Sequence, residues 1–233
     1  MCSILGVCTS DIPREEVKEA LEKTHSRGPD AFRIVRTKGG YLGFNRLSIM
    51  GLSPEGMQPF VFQEHRTVEF FADQDGFAEM PEDADSLVVC NGELYGFREQ
   101  KKALEEKGYG FISGSDCEIL PAMYKEYGQE MFQYLDAEFA MILYDAQTGS
   151  FLAARDPIGI RPLYYGIRKD GSYCFASEPK NLMELTDEIK PFPPGHFWKD
   201  GVFTCYSDPA AVTEYCMDEV DEVCSQMHDR LVG

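Results

Sequence analysis

Apolar residues recur at alternate positions or in short runs along most of the chain, and at helical spacing in two blocks. Ser3 to Val7 predicts a short buried strand. Asp11-Ile12-Pro13 opens a helix, with proline suited to its first turn. Val17, Ala20, Leu21 and Thr24 share one face of that helix, which stops before the turn-like Arg27-Gly28-Pro29-Asp30. Phe32 to Arg36 and Tyr41 to Ile49 read as strands joined by Thr37-Lys38-Gly39-Gly40. Gly51 to Pro59 reads as a loop. Val61 to Ala84 mixes aromatics with acids and predicts a hairpin followed by a mobile acidic loop. Leu87 to Cys90 is a buried strand ending in Asn91-Gly92-Glu93.

The second helical block covers Phe97 to Lys107, stopped by Gly108, and a helix ending at Tyr127. Ser115 or Asp116 can cap that second helix, and Gln129 to Leu135 follows as a short helix. Phe139 to Tyr144 pairs with Phe151 to Ala154, and Leu163 to Tyr165 with Tyr173 to Phe175, across Gly-containing turns. Further strand lies around Phe197-Trp198 and Phe203 to Cys205. Tyr215 to Val232 predicts an acidic helix. Strands in hairpin order with helices inserted in blocks predict an α+β layered domain of antiparallel sheets.

Composition narrows the partners. The 233 residues carry a formal net charge of −18, which argues against nucleic-acid backbones and anionic membrane surfaces. No apolar run approaches the roughly 18 residues of a membrane span, and no basic stretch and h-region open the chain as a signal would. These features predict a cytoplasmic protein. Its eight cysteines form no Cys-x-x-Cys pair and do not cluster with the four histidines, so free thiols and no metal site are expected.

Cys2 directly follows Met1. Once Met1 is removed, Cys2 carries both a thiol and an α-amine whose ordinary pKa of roughly 7.7–8.0 suits it as the base for that thiol. The other reading is a cysteine packed in the first strand. Asn91-Gly92 offers a side-chain amide and an unhindered backbone N–H as oxyanion donors, or else a tight turn. Arg46 suits an amino-acid carboxylate. Asp116 and Glu93 suit the ammonium, or stand as a helix cap and a surface charge. Arg155-Asp156 is a further candidate pair, or a structural one.

Seven stretches then occur in one order: Cys2-Ser3-Ile4, Arg27 to Asp30, Arg46 to Ile49, Asn91 to Tyr95, Gly114 to Glu118, Arg155 to Tyr164 and Ala176-Ser177-Glu178. Together they resemble the class II glutamine amidotransferase domain, most closely the N-terminal glutaminase domain of glutamine-dependent asparagine synthetases. The resemblance implies an N-terminal-nucleophile hydrolase fold, a four-layer αββα sandwich. It implies that Cys2 attacks the side-chain amide of glutamine, forming a thioester that water resolves to glutamate. Asn91 and the Gly92 N–H would hold the oxyanion, and Arg46 the substrate carboxylate. Glu93 and Asp116 would lie near the ammonium, and Leu47, Ser48, Ile49 and Met50 would line the pocket.

The domain so implied covers residues 2–210, with 211–233 an acidic linker helix toward a synthetase domain. That domain would act in cis or as a separate subunit. No phosphate-cradling loop is legible in the chain, so no cofactor is expected here, and ATP and Mg²⁺ would serve the synthetase. A homodimer is left open. The runner-up within the fold is the glutaminase domain of a phosphoribosylpyrophosphate amidotransferase, whose Cys-Gly-Ile start contrasts with Ser3 here. A third reading is a catalytically silent glutamine-binding module.

Overall fold

The computed structural model describes residues 1–49, 52–212 and 214–232. Its first half comprises β1 (Ser3–Val7), α1 (Arg14–Glu22), β2 (Ala31–Thr37), β3 (Gly40–Arg46), β4 (Phe60–Gln63), β5 (Arg66–Val68), β6 (Phe77–Glu79) and β7 (Ser86–Leu94). The helices α2 (Phe97–Glu106) and α3 (Leu120–Tyr127) follow. Then come β8 (Ala137–Asp145), β9 (Ser150–Arg155), β10 (Tyr164–Ile167), β11 (Tyr173–Ala176), β12 (Ile189–Pro191), β13 (His196–Lys199), β14 (Val202–Cys205) and α4 (Val220–Val232).

These strands form two seven-stranded sheets, ordered β12-β10-β11-β1-β3-β2-β6 and β14-β13-β9-β8-β7-β4-β5. The order follows from the hairpins the sequence predicted, since β2–β3, β8–β9 and β10–β11 all pair antiparallel. Strands buried on both faces carry continuous apolar runs, as in Leu87-Val88-Val89-Cys90. Alternate residues of β7 enter different cores. Val88 and Cys90 meet the layer of α2 and α3, while Leu87 and Val89 meet the opposite sheet. On the far side, Leu5 and Val7 of β1 pack on Val17, Ala20 and Leu21 of α1. Three apolar interfaces between four layers make the α+β, αββα arrangement.

A buried polar hub fastens α1 to the first sheet. The Thr24 hydroxyl lies within hydrogen-bond distance of Ser3 Oγ (2.7 Å), Asn45 Nδ2 (3.2 Å) and Asn181 Nδ2 (2.9 Å), and donates to the Leu21 carbonyl. The arrangement gives the buried amide donors of Asn45 and Asn181 acceptors, and it holds the start of β1 in place.

Several expectations are corrected. The strand predicted over Tyr41 to Ile49 ends at Arg46, where the chain leaves the sheet. The acidic loop is not merely a loop. Asp73 Oδ1 accepts the N–H groups of Asp75 and Phe77, a turn that delivers β6 to the sheet edge, where it pairs parallel with β2. Residues 215–219 are not helical, and α4 begins at Val220 with no buried residue.

Gly28 illustrates a close approach. A Cβ there would lie 2.4 Å from the Asn45 backbone, so the turn can pack on β3 only as glycine. We expect Gly28→Ala to cost about 1–3 kcal/mol, as overpacking does, and to lower Tm by several degrees. An unchanged melting curve would refute the tight fit.

Candidate active site

β1 and β3 run antiparallel with Ser3 opposite Asn45, so Cys2 and Arg46 meet one step further along. β7 of the facing sheet brings Asn91 and Gly92 to the same edge, and the turn after Ser115 brings Asp116. Cys2, Arg46, Leu47, Ile49, Asn91, Gly92, Glu93 and Asp116 thus share one cavity of about 90 Å³, with Met1 and Arg161 in its wall. Ser48 is not part of that lining, and Met50 lies outside the described residues.

The Cys2 thiol is half-buried. It accepts the Leu47 N–H at 3.4 Å and lies 3.5 Å from the Leu47 carbonyl. Burial pushes its pKa above the ordinary thiol value, and the Leu47 N–H works against that shift. The strand-packing alternative therefore holds only in part, because Cys2 touches the core between the sheets yet keeps its sulfur on the cavity.

Asn91 and Gly92 lie inside β7, opposite Ala140 and Phe139 of β8, so they form no tight turn and no strand end. Asn91 Nδ2 is buried and meets no acceptor among the described residues. An unmet buried donor is costly, and here it belongs to a residue lining the cavity. Gly92 is demanded by packing, since a Cβ would meet the Glu138 carbonyl at 2.7 Å.

Arg46 is 7% exposed and donates to the Ser53 carbonyl at 2.9 Å. Asp116 caps no helix. It is 4% exposed, and its Oδ2 accepts the Leu94 N–H at 2.8 Å. Glu93 stands exposed on the same wall. The cavity thus carries two guanidinium groups, of Arg46 and Arg161, and two carboxylates, of Glu93 and Asp116. Arg155 and Asp156 do not line it and do not pair with each other. Arg155 donates to three carbonyls, and Asp156 accepts the N–H groups of Ile158, Gly159, Ile160 and Arg161. Their work is to shape the loop that presents Arg161.

Sequence reasoning passed over four supporting side chains. Arg27 donates to the Cys2 carbonyl (3.2 Å) and pairs with Glu178 (2.9 Å). Asp30 accepts the Ser48 N–H at 2.7 Å, fixing the strand exit beside Cys2. Both belong to the turn read as merely a turn. Gln58 brackets Cys90, accepting its N–H (2.6 Å) and donating to its carbonyl (3.1 Å). Arg161 pairs with Glu138 (2.9 Å) and contacts Met1 Sδ (2.6 Å). Their adjacency to Cys2 arises between strands, so no local pattern announces it. Among the described residues no group of three His, Cys, Asp or Glu could hold a metal ion, and no helix is long and apolar enough to cross a membrane.

Residues 1–193 match the family model described as a glutamine amidotransferase domain. The chain is 34% identical over 220 residues to a glutamine-hydrolysing asparagine synthetase of Sandersonia aurantiaca, covering 92% of this chain and 38% of that protein. It is 36% identical over 218 residues to asparagine synthetase 3 of Arabidopsis thaliana, covering 90% of this chain and 34% of that one. The chain therefore spans well under half of the relatives it matches. Among solved structures, a glutamine phosphoribosylpyrophosphate amidotransferase of B. subtilis superimposes with a TM-score of 0.71 at 19% identity, over 88% of this chain and 49% of that one.

Proposed function

The chain belongs to the class II glutamine amidotransferase domains, and from that premise we propose that it hydrolyses the side-chain amide of glutamine through a thioester on Cys2. One observation carries the reading: the thiol, the unmet Asn91 amide, Arg46 and Asp116 line a single cavity. Glutamine would enter with its α-carboxylate toward Arg46 and its ammonium toward Asp116 and Glu93. That orientation leaves its side-chain carbonyl for Cys2. With Met1 removed, the Cys2 α-amine takes the thiol proton and passes it to the departing ammonia. Asn91 Nδ2 and the Gly92 N–H stabilise the charge that develops on the carbonyl oxygen. Water then releases glutamate.

The relatives at 34% and 36% identity are named as asparagine synthetases, which favours a synthetase site, in cis or on another subunit, as the consumer of the ammonia. The likeness to the phosphoribosylpyrophosphate enzyme is one of fold. Residues 2–210 form the glutaminase body in this reading, with α4, which buries no residue, leading toward the consumer. The second reading is a catalytically silent glutamine-binding module: a chain that kept Met1 would have no Cys2 α-amine to act as base and would bind glutamine without turnover.

Release of glutamate from glutamine by protein of known N-terminal mass tests the proposal. Within it, Arg46→Ala should raise KM for glutamine by tenfold or more with a smaller change in kcat, because substrate carboxylate and arginine pair in ground and transition state alike. A loss confined to kcat would assign Arg46 a different role.

A further inference from the structure

A second cavity, of about 360 Å³, adjoins the first and shares Arg46 with it. Its walls come from β2, the loop before β4 and the chain leaving β5. Most of the lining is apolar, including Leu52, Met57, Val68, Phe70 and Phe71. Leu52 and Phe71 are 74% and 82% exposed, so the apolar surface continues to the rim. A concave apolar site of this size with a few charged groups suits a small molecule.

Arg33 is the partly buried cation in it without an ion pair among the described residues, as Glu55 and Glu69 at the same cavity are carboxylates without one. Its guanidinium lies 4.6 Å from the centre of the Phe70 ring and donates only a long bond, 3.4 Å, to the Met57 carbonyl. No carboxylate stands within ion-pair distance of it among the described residues. Burial and the neighbouring Arg46 charge hold its pKa below the ordinary guanidinium value. A partly buried cation facing another cation gains most from an anion brought in beside it.

We propose that this cavity binds a small carboxylate with an apolar or aromatic body. The carboxylate pairs with Arg33, and the body lies against Leu52, Val68, Phe70 and Phe71. Because Arg46 belongs to both cavities, occupancy would also bear on the cysteine site. That consequence rests on the glutamine reading, whereas the binding itself does not. Glu55 and Glu69 also line the cavity and would favour a cation instead, so the charge of the ligand is what the experiment must resolve.

Calorimetry on the whole chain with 4-phenylbutyrate, 4-phenylbutanol and 4-phenylbutylamine does so, because the three share one body and differ in charge. The acid should bind one to one, at least tenfold more tightly than the alcohol or the amine. Arg33→Leu should bring acid and alcohol to equal affinity, and Arg33→Gln serves the same purpose if the leucine variant unfolds. Preference for the amine would place recognition on Glu55 and Glu69 and overturn the proposal. So would equal binding of acid and alcohol by the unaltered chain, or no binding of either. Loss of acid binding in Arg46→Ala but not in Arg33→Leu would move the carboxylate to the cysteine cavity and equally reject the site.

Discussion

Cys2→Ala is expected to abolish glutamate release from glutamine, a loss on the order of 10⁴–10⁶ in kcat if it parallels removal of other nucleophiles. The fold should survive, because Cys2 precedes β1 and its sulfur has, among the described residues, only the Leu47 backbone as hydrogen-bond partner. An electrophilic glutamine analogue should add its mass to Cys2 alone. Cys90 and Cys117 line the same cavity but are buried in the layer beneath α2 and α3. The hydrogen bond that the Cys117 thiol gives to Cys90, together with burial, pushes the Cys117 thiol well up, which suppresses its reactive thiolate. Turnover persisting in Cys2→Ala would end the covalent reading, and labelling spread over the buried thiols would show ordinary thiol chemistry.

Asn91→Ala should lower kcat by about 10²–10³, the effect of losing one oxyanion donor, and should leave KM for glutamine within a few-fold. The variant also tests the state of the amide. In the native chain Asn91 Nδ2 meets no acceptor among the described residues, so alanine removes no hydrogen bond of that amide within the protein. We therefore expect its unfolding midpoint not to fall, in contrast to Gly28→Ala. A variant that kept kcat but melted several degrees lower would make Asn91 a packing residue. Asn91→Ala acting on KM and Arg46→Ala on kcat would reverse the assigned roles.

Much of this molecule is local, and that part is legible from residue order alone. Period-two alternation and apolar runs encode which faces are buried, so β1, β8, β9, β11 and α2 stand close to where their patterns predict them. The residue types at Cys2, Arg46, Asn91-Gly92 and Asp116 are those that amide chemistry on an amino acid needs, and their order along the chain carried the family resemblance. Pairing, by contrast, is set by the assembled sheets. Asn-Gly forms a turn or a strand according to what lies alongside, and β8 beside β7 makes it a strand. Asp116 could cap its own helix but bonds the Leu94 N–H across the loop instead. Arg27 and Asp30 read as turn residues until β1 and β3 bring Cys2 and Ser48 to them. The acidic stretch before Ala84 gains a strand only because the β2 edge offers unpaired backbone groups to it. Arg33 faces Arg46 only once β2 and β3 are assembled. Each of these contacts joins residues far apart in the chain, where the side-chain period specifies a face but not a neighbour.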